Sequence, residues 1–300
     1  MAKCDRSRRA VPRPFLKWVG GKRQLLPELE ALLPRRFDHY FEPFVGGAAL
    51  FFHLQPDNAT LSDANAELVD CYTAVRDGVD ALVRELRRHV YDQDYYYAMR
   101  AWDSAGAPLH QRAGRTIYLN RTGFNGLYRV NRSGKFNVPF GRYTNPVICD
   151  EENLQGCSRV LQGVALVHED FEAAADRARA GDFVYFDPPY VPLTPTASFT
   201  SYVADGFGLA DQERLAALFR RLSERGVQVM LSNSDTPLVR ELYAGFHLEE
   251  VQARRNVNAK ASKRGAVGEL VVCSDYPRRG AAARGVVRAM RPISRVQARP

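Results

Sequence analysis

Short apolar runs alternate with amphipathic segments in two stretches of the chain, at about 40–80 and 163–275. The first stretch predicts strand, glycine-rich turn, helix, strand and helix, in "HYFEPFVGGAALFFHL" and "ATLSDANAELVDCYTAVRD". The second predicts strands at "GVALVHED", "DFVYFDPPY" and "VQVMLSNSD". Such alternation is typical of a parallel sheet with crossover helices. We therefore expect both stretches to form one α/β sheet.

Apolar residues at helical spacing predict two amphipathic helices. One is expected at about 209–225, where four apolar residues share a face: Leu215, Leu218, Phe219 and Leu222. The other lies in "VDALVRELRRHV", with Leu82, Val83, Leu86 and Val90 on one side. It opens a stretch at 79–158 that continues with tyrosines, a predicted helix at 111–120 and a glycine-rich run. We expect this stretch to be an inserted, mostly helical subdomain.

Length and composition favour one large core with an insertion over several small domains, since 300 residues are 45% hydrophobic and 25% charged. No apolar stretch approaches the roughly 18 residues of a membrane span, and "MAKCDRSRRAVPRP" lacks an apolar segment behind its arginines. We therefore expect a cytoplasmic protein. Five cysteines without a C-x-x-C pair and six scattered histidines favour neither a disulfide framework nor a metal site.

The net charge of +8 is unevenly distributed. Residues 277–300 contain seven arginines and no acid, so the remainder carries about +1. Global charge therefore says little about a nucleic-acid partner. We expect a disordered N-terminal arm at 1–13 and a basic disordered tail at 278–300, because neither segment has a sustained apolar period.

The segment "DFVYFDPPYVPL" (182–193) ends an apolar strand in an acid, two prolines and a tyrosine. The carboxyl ends of strands in open α/β sheets border the ligand crevice. There, Asp187 and the carbonyl of Pro188 can each accept a hydrogen bond, while Pro189 restrains the backbone and Tyr190 offers an aromatic face. This combination suits the exocyclic amine of a nucleobase. A strand end followed by a proline turn is the simpler interpretation.

An earlier strand-to-helix turn, "FEPFVGGAAL", contains Phe44 and Gly46, where the backbone is open to a ligand. Asp63 follows 17 residues after Gly46, close to the spacing at which an acid reaches ribose hydroxyls in nucleotide-binding folds. The pair suggests a cofactor that contains adenosine. Neither G-x-G-x-x-G nor a P-loop is present, which argues against nicotinamide and ATP.

A third strand end, "HEDFEA" (168–173), allows two interpretations. Asp170 could accept from the amino group of the cofactor's adenine while the backbone N–H of Phe171 meets a ring nitrogen. Alternatively, Asp170 caps the following helix.

Several segments together resemble the Dam-like DNA adenine-N6 methyltransferases, in that family's order and over about residues 14–277. They are "PFLKWVGGKRQLLPEL", "FEPFVGGAALFF", "LSDANAELVDCY", "YLNRTGFNGLYRVNRSGKFNVPFGRY", "DFVYFDPPY" and "ARRNVNAKASKRGAVGELVV". One departure is Ala48, which stands where the family often has a second glycine of F-x-G-x-G. Alanine is small, so we expect no loss of binding.

The resemblance implies a doubly wound, Rossmann-like catalytic domain at 14–78 and 159–277, with the target-recognition insertion between them. It also implies S-adenosylmethionine as the methyl donor, without a metal. Carried onto matching positions, Trp18, Lys22, Asp63 and Asp187 are cofactor contacts, and Asp187 is also catalytic. Trp18 could instead belong to the core. Lys22 sits in "GGK" beside backbone donors, a suitable place for the methionine carboxylate.

The recognition segment 120–143 has its own local signal, since five cations and no acid are interleaved with aromatic residues. Such interleaving fits phosphate and base contacts, although a solvated hairpin would look similar. The resemblance implies that Phe124 and Asn125 enter the base stack or contact bases, and that Arg129 reads a guanine. It places Pro139, Tyr143 and Lys17 against the DNA. Arg132 and Lys135 are expected to contact phosphates.

The leading hypothesis is methylation of adenine N6 in duplex DNA after base flipping, at GATC or at another GA-containing palindrome. An N4-cytosine or RNA methyltransferase is disfavoured, because cytosine enzymes usually resemble S-P-P-Y. A sequence-specific DNA-binding protein with an inactive cofactor site is the alternative from another class. We expect a monomer, with no membrane partner; a cognate restriction endonuclease would share the site without forming a stable complex.

Overall fold

A computed structural model describes residues 11–192, 206–254 and 266–282. Most of the expected arm (1–13) and tail (278–300) lies outside these ranges. Arg13 is held by Asp150, with 2.6 Å between its guanidinium and the carboxylate. Arg278 pairs with Glu249 at 2.9 Å, and the backbone N–H of Arg279 donates to the carbonyl of Leu33. Packed structure therefore extends beyond both expected boundaries.

Seven strands form one sheet in the order β3-β2-β1-β4-β5-β7-β6. They are β1 (Tyr40–Glu42), β2 (Ala59–Asp63), β3 (Ala165–His168), β4 (Phe183–Phe186), β5 (Gln228–Ser234), β6 (His247–Arg254) and β7 (Ala266–Cys273). The first five are mutually parallel, whereas β7 runs antiparallel to β5 and β6. Parallel strands buried on both faces read as nearly continuous apolar runs, which explains why β4 is visible as "FVYF". The expected α/β fold and single sheet are confirmed.

Nine α-helices lie within the described ranges. They are α1 (Leu26–Leu32), α2 (Ala49–Leu54), α3 (Ala66–Leu86), α4 (Gln93–Ala101), α5 (Leu109–Thr122), α6 (Glu151–Leu161), α7 (Phe171–Ala175), α8 (Leu209–Glu224) and α9 (Pro237–Leu242). Among the described residues, no helix is long and apolar enough to cross a membrane.

One helix links the sheet to the helical stretch. α3 is capped by Asn65, whose side chain accepts from the N–H of Leu68, and it is interrupted at Gly78, where φ is −150°. The segment after Gly78 continues the helix into the stretch expected to be inserted. α3 packs against α5 and α6, with contacts on both sides of Gly78: Asp70 pairs with Arg112 before it, and Asp80 accepts from Gln155 after it. A separate, mostly aromatic hydrophobic cluster lies within the stretch 79–158: Tyr96, Tyr118, Leu119, Tyr128, Phe136 and Val138.

Candidate active site and nucleic-acid interface

The carboxyl ends of the parallel strands converge along one edge of the sheet. The strand order reverses between β1 and β4, and ligands of open α/β sheets bind outside the strand ends at that reversal. Phe44 and Gly46 follow β1 directly, and Asp187 follows β4. The structure therefore brings the two predicted motifs to the two sides of one crevice.

Lys22 and Asp187 form a largely buried ion pair in this crevice, with 2.8 Å between Nζ and Oδ1. The Lys22 side chain is only 3% exposed, and its ammonium also donates to the carbonyl of Gly20 at 2.6 Å. Burial raises the pKa of Asp187 and the Lys22 ammonium opposes that shift, with a net upward result. Lys22 is therefore the main group that favours the charged form of this carboxylate, with a smaller contribution from Tyr190.

Tyr190 lies against the same ammonium, with 4.6 Å between Lys22 Nζ and the ring centroid. Its hydroxyl donates to Oε2 of Glu269 on β7, at 2.9 Å. Burial and the neighbouring carboxylates raise the pKa of Tyr190 well above its usual value, so the phenol stays protonated. The ring is thus held at both its face and its hydroxyl.

Two buried amides hold the backbone around the two prolines. Gln212 on α8 donates to the carbonyl of Pro189 at 2.9 Å, and Asn233 on β5 accepts from the N–H of Val191 at 3.1 Å. The amides also bond to each other, since Asn233 Nδ2 donates to Gln212 Oε1 at 3.1 Å. Pro188 is itself buried between these anchors and Asp187. This network fixes the course of the backbone from Asp187 to Val191.

A second carboxyl, Glu42, lies at the end of β1 and is 3% exposed. The hydroxyl of Tyr40 donates to it at 2.8 Å. Burial raises the pKa of Glu42 to about 8, in spite of that bond, and the nearby Asp187 adds to the shift. Glu42 is therefore largely protonated at neutral pH, which leaves the Lys22 charge to Asp187.

Trp18, Gly46 and Asp63 meet at the turn after β1. Gly46 has a φ of +45°, and a Cβ there would lie 2.8 Å from Cδ1 of Trp18. Asp63 Oδ2 accepts from the N–H of Gly46 at 3.4 Å, and Oδ1 accepts from Asn65 at 3.0 Å. Burial raises the pKa of Asp63 to about 6, against the opposing backbone hydrogen bonds. Trp18 also stacks on Tyr128, with ring centroids 5.4 Å apart.

Ala48 adopts the left-handed conformation, with φ 51° and ψ 39°, just before α2 begins. That region favours glycine, because a Cβ crowds the following carbonyl. Ala48 therefore adopts a conformation that would suit the glycine of F-x-G-x-G, at the cost of local backbone strain. Its buried methyl group packs into the main core.

The structure shows the helix cap at Asp170, whose Oδ1 accepts from the N–H of Glu172 at 2.9 Å. Its other oxygen pairs with Arg214 at 2.7 Å. Phe171 is buried and stacks on Phe44, with ring centroids 5.2 Å apart. Phe44 and Phe171 therefore form an aromatic wall at the sheet edge, beside β1 and β3.

Two buried polar atoms near Asp63 have no hydrogen-bond partner within the described part of the chain. They are Ser62 Oγ and Asn65 Nδ2. Buried polar groups are normally satisfied, so unpaired ones at a ligand crevice call for a polar ligand or water. The open backbone at Gly46, the acceptor at Asp63 and the unpaired donor of Asn65 fit a group that carries hydroxyls, such as a ribose.

The recognition segment begins with a tight turn, Phe124–Gly126, at the end of α5. Asn125 and Gly126 both have positive φ, +54° and +63°, which projects Phe124 and Asn125 outward. Phe124 is 48% exposed, unusual for so large an apolar side chain. Lys17 packs beside the turn, and burial together with the charge of Arg121 lowers its pKa.

Arg129, Arg132 and Lys135 lie on a hairpin whose strands meet at the bridge between Val130 and Phe136. Arg129 Nε donates to Oδ1 of Asn137 at 2.7 Å, which orients the guanidinium. Arg132 and Lys135 are exposed at the hairpin's tip. Beyond it, Pro139 is exposed and its carbonyl accepts from the N–H of Phe124.

Tyr143 connects the hairpin to Lys17, in the segment "PFLKWVGGKRQLLPEL". The Lys17 ammonium lies 4.3 Å from the centroid of its ring, and its hydroxyl donates to the carbonyl of Gly123 at 2.9 Å. The predicted DNA-binding residues therefore occupy one continuous region, from Lys17 and Tyr143 to the hairpin.

Comparison with known proteins decides the family. Residues 18–257 match the family described as D12 class N6 adenine-specific DNA methyltransferase. The chain belongs to that family. The methyltransferase is 46% identical to the Type II methyltransferase M1.LlaDCHI of Lactococcus lactis over 268 residues, which covers 87% of this chain and 94% of the relative.

Two further relatives place the methyltransferase close to the Dam-like enzymes. It is 39% identical to the DNA adenine methylase of Serratia marcescens, covering 86% of this chain and 97% of the relative. It is 36% identical to the DNA adenine methylase of Escherichia coli K12, covering 86% and 94% respectively. The expected Dam-like resemblance and adenine specificity are confirmed. Within the described ranges, no group of three or more His, Cys, Asp or Glu residues could hold a metal ion.

Sequence reasoning missed five supporting polar residues of the site: Glu42, Gln212, Asn233 and Glu269, described above, and Asn120, whose side chain bonds to the backbones of Lys17 and Gly126. Two of them carried a visible signal, because Glu42 and Asn233 interrupt or end apolar strand runs. Asn120 and Gln212 lie within helices, where a polar residue is unremarkable until its partner is known.

Proposed function

We propose that this methyltransferase takes a methyl group from S-adenosylmethionine and transfers it to adenine N6 in GATC, after the base leaves the duplex. The observation that carries the proposal is the Lys22–Asp187 pair at the strand-order reversal, beside the ring of Tyr190. GATC is favoured because residues 118–143 resemble the GATC readers most, and another GA-containing palindrome is the alternative.

The residues around Gly46 fit the cofactor. S-adenosylmethionine supplies an electrophilic methyl group on a sulfonium when bound. Asp63 would accept from its ribose hydroxyls, in keeping with the unpaired Ser62 and Asn65 groups nearby. Lys22 would meet the methionine carboxylate with its remaining donor capacity, and Trp18 would border the same pocket.

At the sheet's adjacent strand end, Phe44 and Phe171 offer an apolar wall for the adenine of the cofactor. Oδ1 of Asp170 caps α7 and Oδ2 pairs with Arg214, so Asp170 would meet the adenine amino group with a remaining lone pair of Oδ2. We therefore propose a cofactor role for Asp170 through Oδ2.

Asp187 and the carbonyl of Pro188 would accept the two hydrogens on N6 of the target adenine. The nitrogen lone pair is delocalised into the ring, so two acceptors that draw the amine toward tetrahedral geometry make it a better nucleophile. Alignment of the reacting atoms contributes the rest. The amides of Gln212 and Asn233 anchor the Pro189 carbonyl and the Val191 N–H, which restrains the backbone immediately after the Pro188 carbonyl.

Tyr190 would stack on the flipped adenine. Flipping costs a few kcal/mol of unstacking, and an aromatic stack of about 1 to 3 kcal/mol offsets much of it. The bond to Glu269 holds the hydroxyl end of the ring in place before the base arrives, so less side-chain freedom is lost on binding.

On the DNA side, Lys17, Phe124 and Asn125 would meet bases at the target, with Pro139 and Tyr143 against the duplex. Arg129 would span O6 and N7 of a guanine, for which its orientation by Asn137 prepares it. Arg132 and Lys135, exposed at the hairpin's tip, would neutralise phosphates.

We further propose that the methyltransferase acts as a monomer in the cytoplasm, with 79–158 as its recognition insertion. The Type II names of two relatives, M1.LlaDCHI and M.MjaIII of Methanocaldococcus jannaschii, favour a role beside a restriction endonuclease that shares the site.

The test is to methylate unmodified genomic DNA in vitro and map the modified bases. N6-methyladenine confined to GATC is expected. Methylation confined to a different palindrome would replace GATC, and N4-methylcytosine would overturn the assigned chemistry.

A further inference from the structure

Asn120 is buried in the last turns of α5 and is 1% exposed. Its side chain joins two segments that are far apart along the chain. Oδ1 accepts from the N–H of Lys17 at 2.8 Å, and Nδ2 donates to the carbonyl of Lys17 at 2.7 Å. Nδ2 also donates to the carbonyl of Gly126 at 2.9 Å. Three of its four hydrogen-bonding positions are therefore used to hold Lys17 and the Phe124–Gly126 turn together.

The two segments are also in close contact. A Cβ on Gly126 would lie 2.4 Å from Cδ of Lys17, so the turn packs directly on the lysine's aliphatic chain. The next residue, Trp18, stacks on Tyr128 just beyond the turn. Asn120 thus lies on the buried side of the contact between Lys17–Trp18 and the Phe124–Gly126 turn, which we call the joint.

We propose that Asn120 is a positioning residue for DNA recognition, which makes Lys17 and the Phe124–Gly126 turn meet the DNA as one unit. This inference rests on the proposed DNA-facing roles of Lys17 and Asn125. Buried hydrogen bonds from a side-chain amide fix the relative position of two segments more tightly than apolar packing does, because these hydrogen bonds are lost when the partners shift by about 1 Å. Displacing either segment then misaligns the other.

The chain offers a matched control in Asn153. Its side chain makes the same two bonds to a backbone, accepting from the N–H of Arg13 and donating to its carbonyl, both at 2.9 Å. It is also buried, at 8% exposure, but it makes no bond to the recognition turn. Asn153→Ala therefore removes a comparable clamp on the N-terminal segment without touching the joint.

The test measures kcat/KM for a duplex with one recognition site, using the full chain. Lys17→Ala, Asn125→Ala and their combination are compared in the wild-type, Asn120→Ala and Asn153→Ala backgrounds. If the two residues act as a unit, their effects are not additive. In the wild-type background, the fold decrease in kcat/KM of the double variant is then at least about threefold smaller than the product of the two single fold decreases. We expect this non-additivity to persist with Asn153→Ala and to disappear with Asn120→Ala.

Asn120→Asp provides a second variant in case the alanine change lowers the folded fraction, which thermal unfolding measures. It keeps the side chain's volume and the acceptor for Lys17, but it removes both donors, so the same loss of non-additivity is expected. Three results would overturn this inference while leaving the proposed function intact. The non-additivity could survive in both Asn120 variants, it could be absent from the wild-type background, or it could disappear equally with Asn153→Ala. If neither Lys17→Ala nor Asn125→Ala changes kcat/KM or DNA affinity, the proposed interface fails and the inference with it.

Discussion

The ammonium of Lys22 lies 2.8 Å from the carboxylate of Asp187, with the lysine almost fully buried. An ion pair therefore connects the segment "PFLKWVGGKRQLLPEL", which contains Lys22, to the strand-end segment "DFVYFDPPY", which contains Asp187. Burial and, to a smaller extent, the charge of Glu269 raise the pKa of Asp187, and Lys22 is the largest influence that opposes this shift.

Lys22→Met should move the acid limb of methyl transfer to higher pH. Without the ammonium, the pKa of Asp187 rises further, so the acceptor form is lost at a higher pH than in the wild type. Single-turnover rates between pH 5.5 and 9, at saturating cofactor, measure this limb. Lys22→Arg retains a cation and should stay closer to the wild type. Identical limbs in the methionine variant and the wild type would show that Asp187 is not the titrating acceptor.

Cofactor affinity should fall as pH drops through about 6, where Asp63 takes up a proton. Hydroxyl groups that donate to the carboxylate favour its charged form, so protonation weakens binding and the loss appears below that pKa. Calorimetric titration with S-adenosylhomocysteine from pH 5 to 8 provides the affinities. Asp63→Asn should bind more weakly throughout and lack this step. The proposal loses its support if the step persists in the asparagine variant.

Tyr190→Ala should slow methylation of a paired target adenine, by an amount equivalent to about 1 to 3 kcal/mol of lost stacking. A mismatched target adenine should recover part of the rate, because the base is then cheaper to flip. Tyr190→Phe keeps the ring and loses only the bond to Glu269, so its defect should be smaller. Rates on paired and mispaired duplexes decide the matter, and equal defects on both would count against stacking.

Arg129→Ala should cost about 1 to 3 kcal/mol of discrimination at one base position. Arg132→Ala and Lys135→Ala should instead weaken binding to all sequences alike, and each should make the salt slope shallower by about one unit. The measurement is the methylation rate on single-base variants of the preferred site at several salt concentrations. If Arg129→Ala slows every duplex by the same factor, Arg129 is a backbone anchor.

The five parallel strands, β1 to β5, were predictable from short apolar runs, whereas β6 and β7 were not predicted as strands. The run "ATLSD" coincides with β2, and the helix expected at about 209–225 is observed at Leu209–Glu224. Local periodicity reports which residues face the core, and this information survives without knowledge of the fold. The same information brought Gly46, Asp63 and Asp187 to one edge, since parallel strands share the end at which their loops lie.

The supporting residues of the site were not predictable in the same way. Asn120 holds Lys17 over a separation of 103 residues, and Gln212 reaches Pro189 over a separation of 23 residues, from α8. Polar residues in helices usually face solvent, so nothing local distinguishes these two from ordinary surface amides. Their role depends on long-range partners, which only the folded chain reveals.

Methyl transfer by Asp187→Ala tests the central claim most directly. The measurement is single-turnover incorporation of label from S-adenosylmethionine into a duplex that carries one GATC, with the modified base identified. We predict N6-methyladenine at that site for the wild type and a rate at least about a hundredfold lower for the variant, with cofactor affinity and thermal unfolding largely retained. A variant that keeps most of the wild-type rate, or label on any base other than the GATC adenine, would contradict the account.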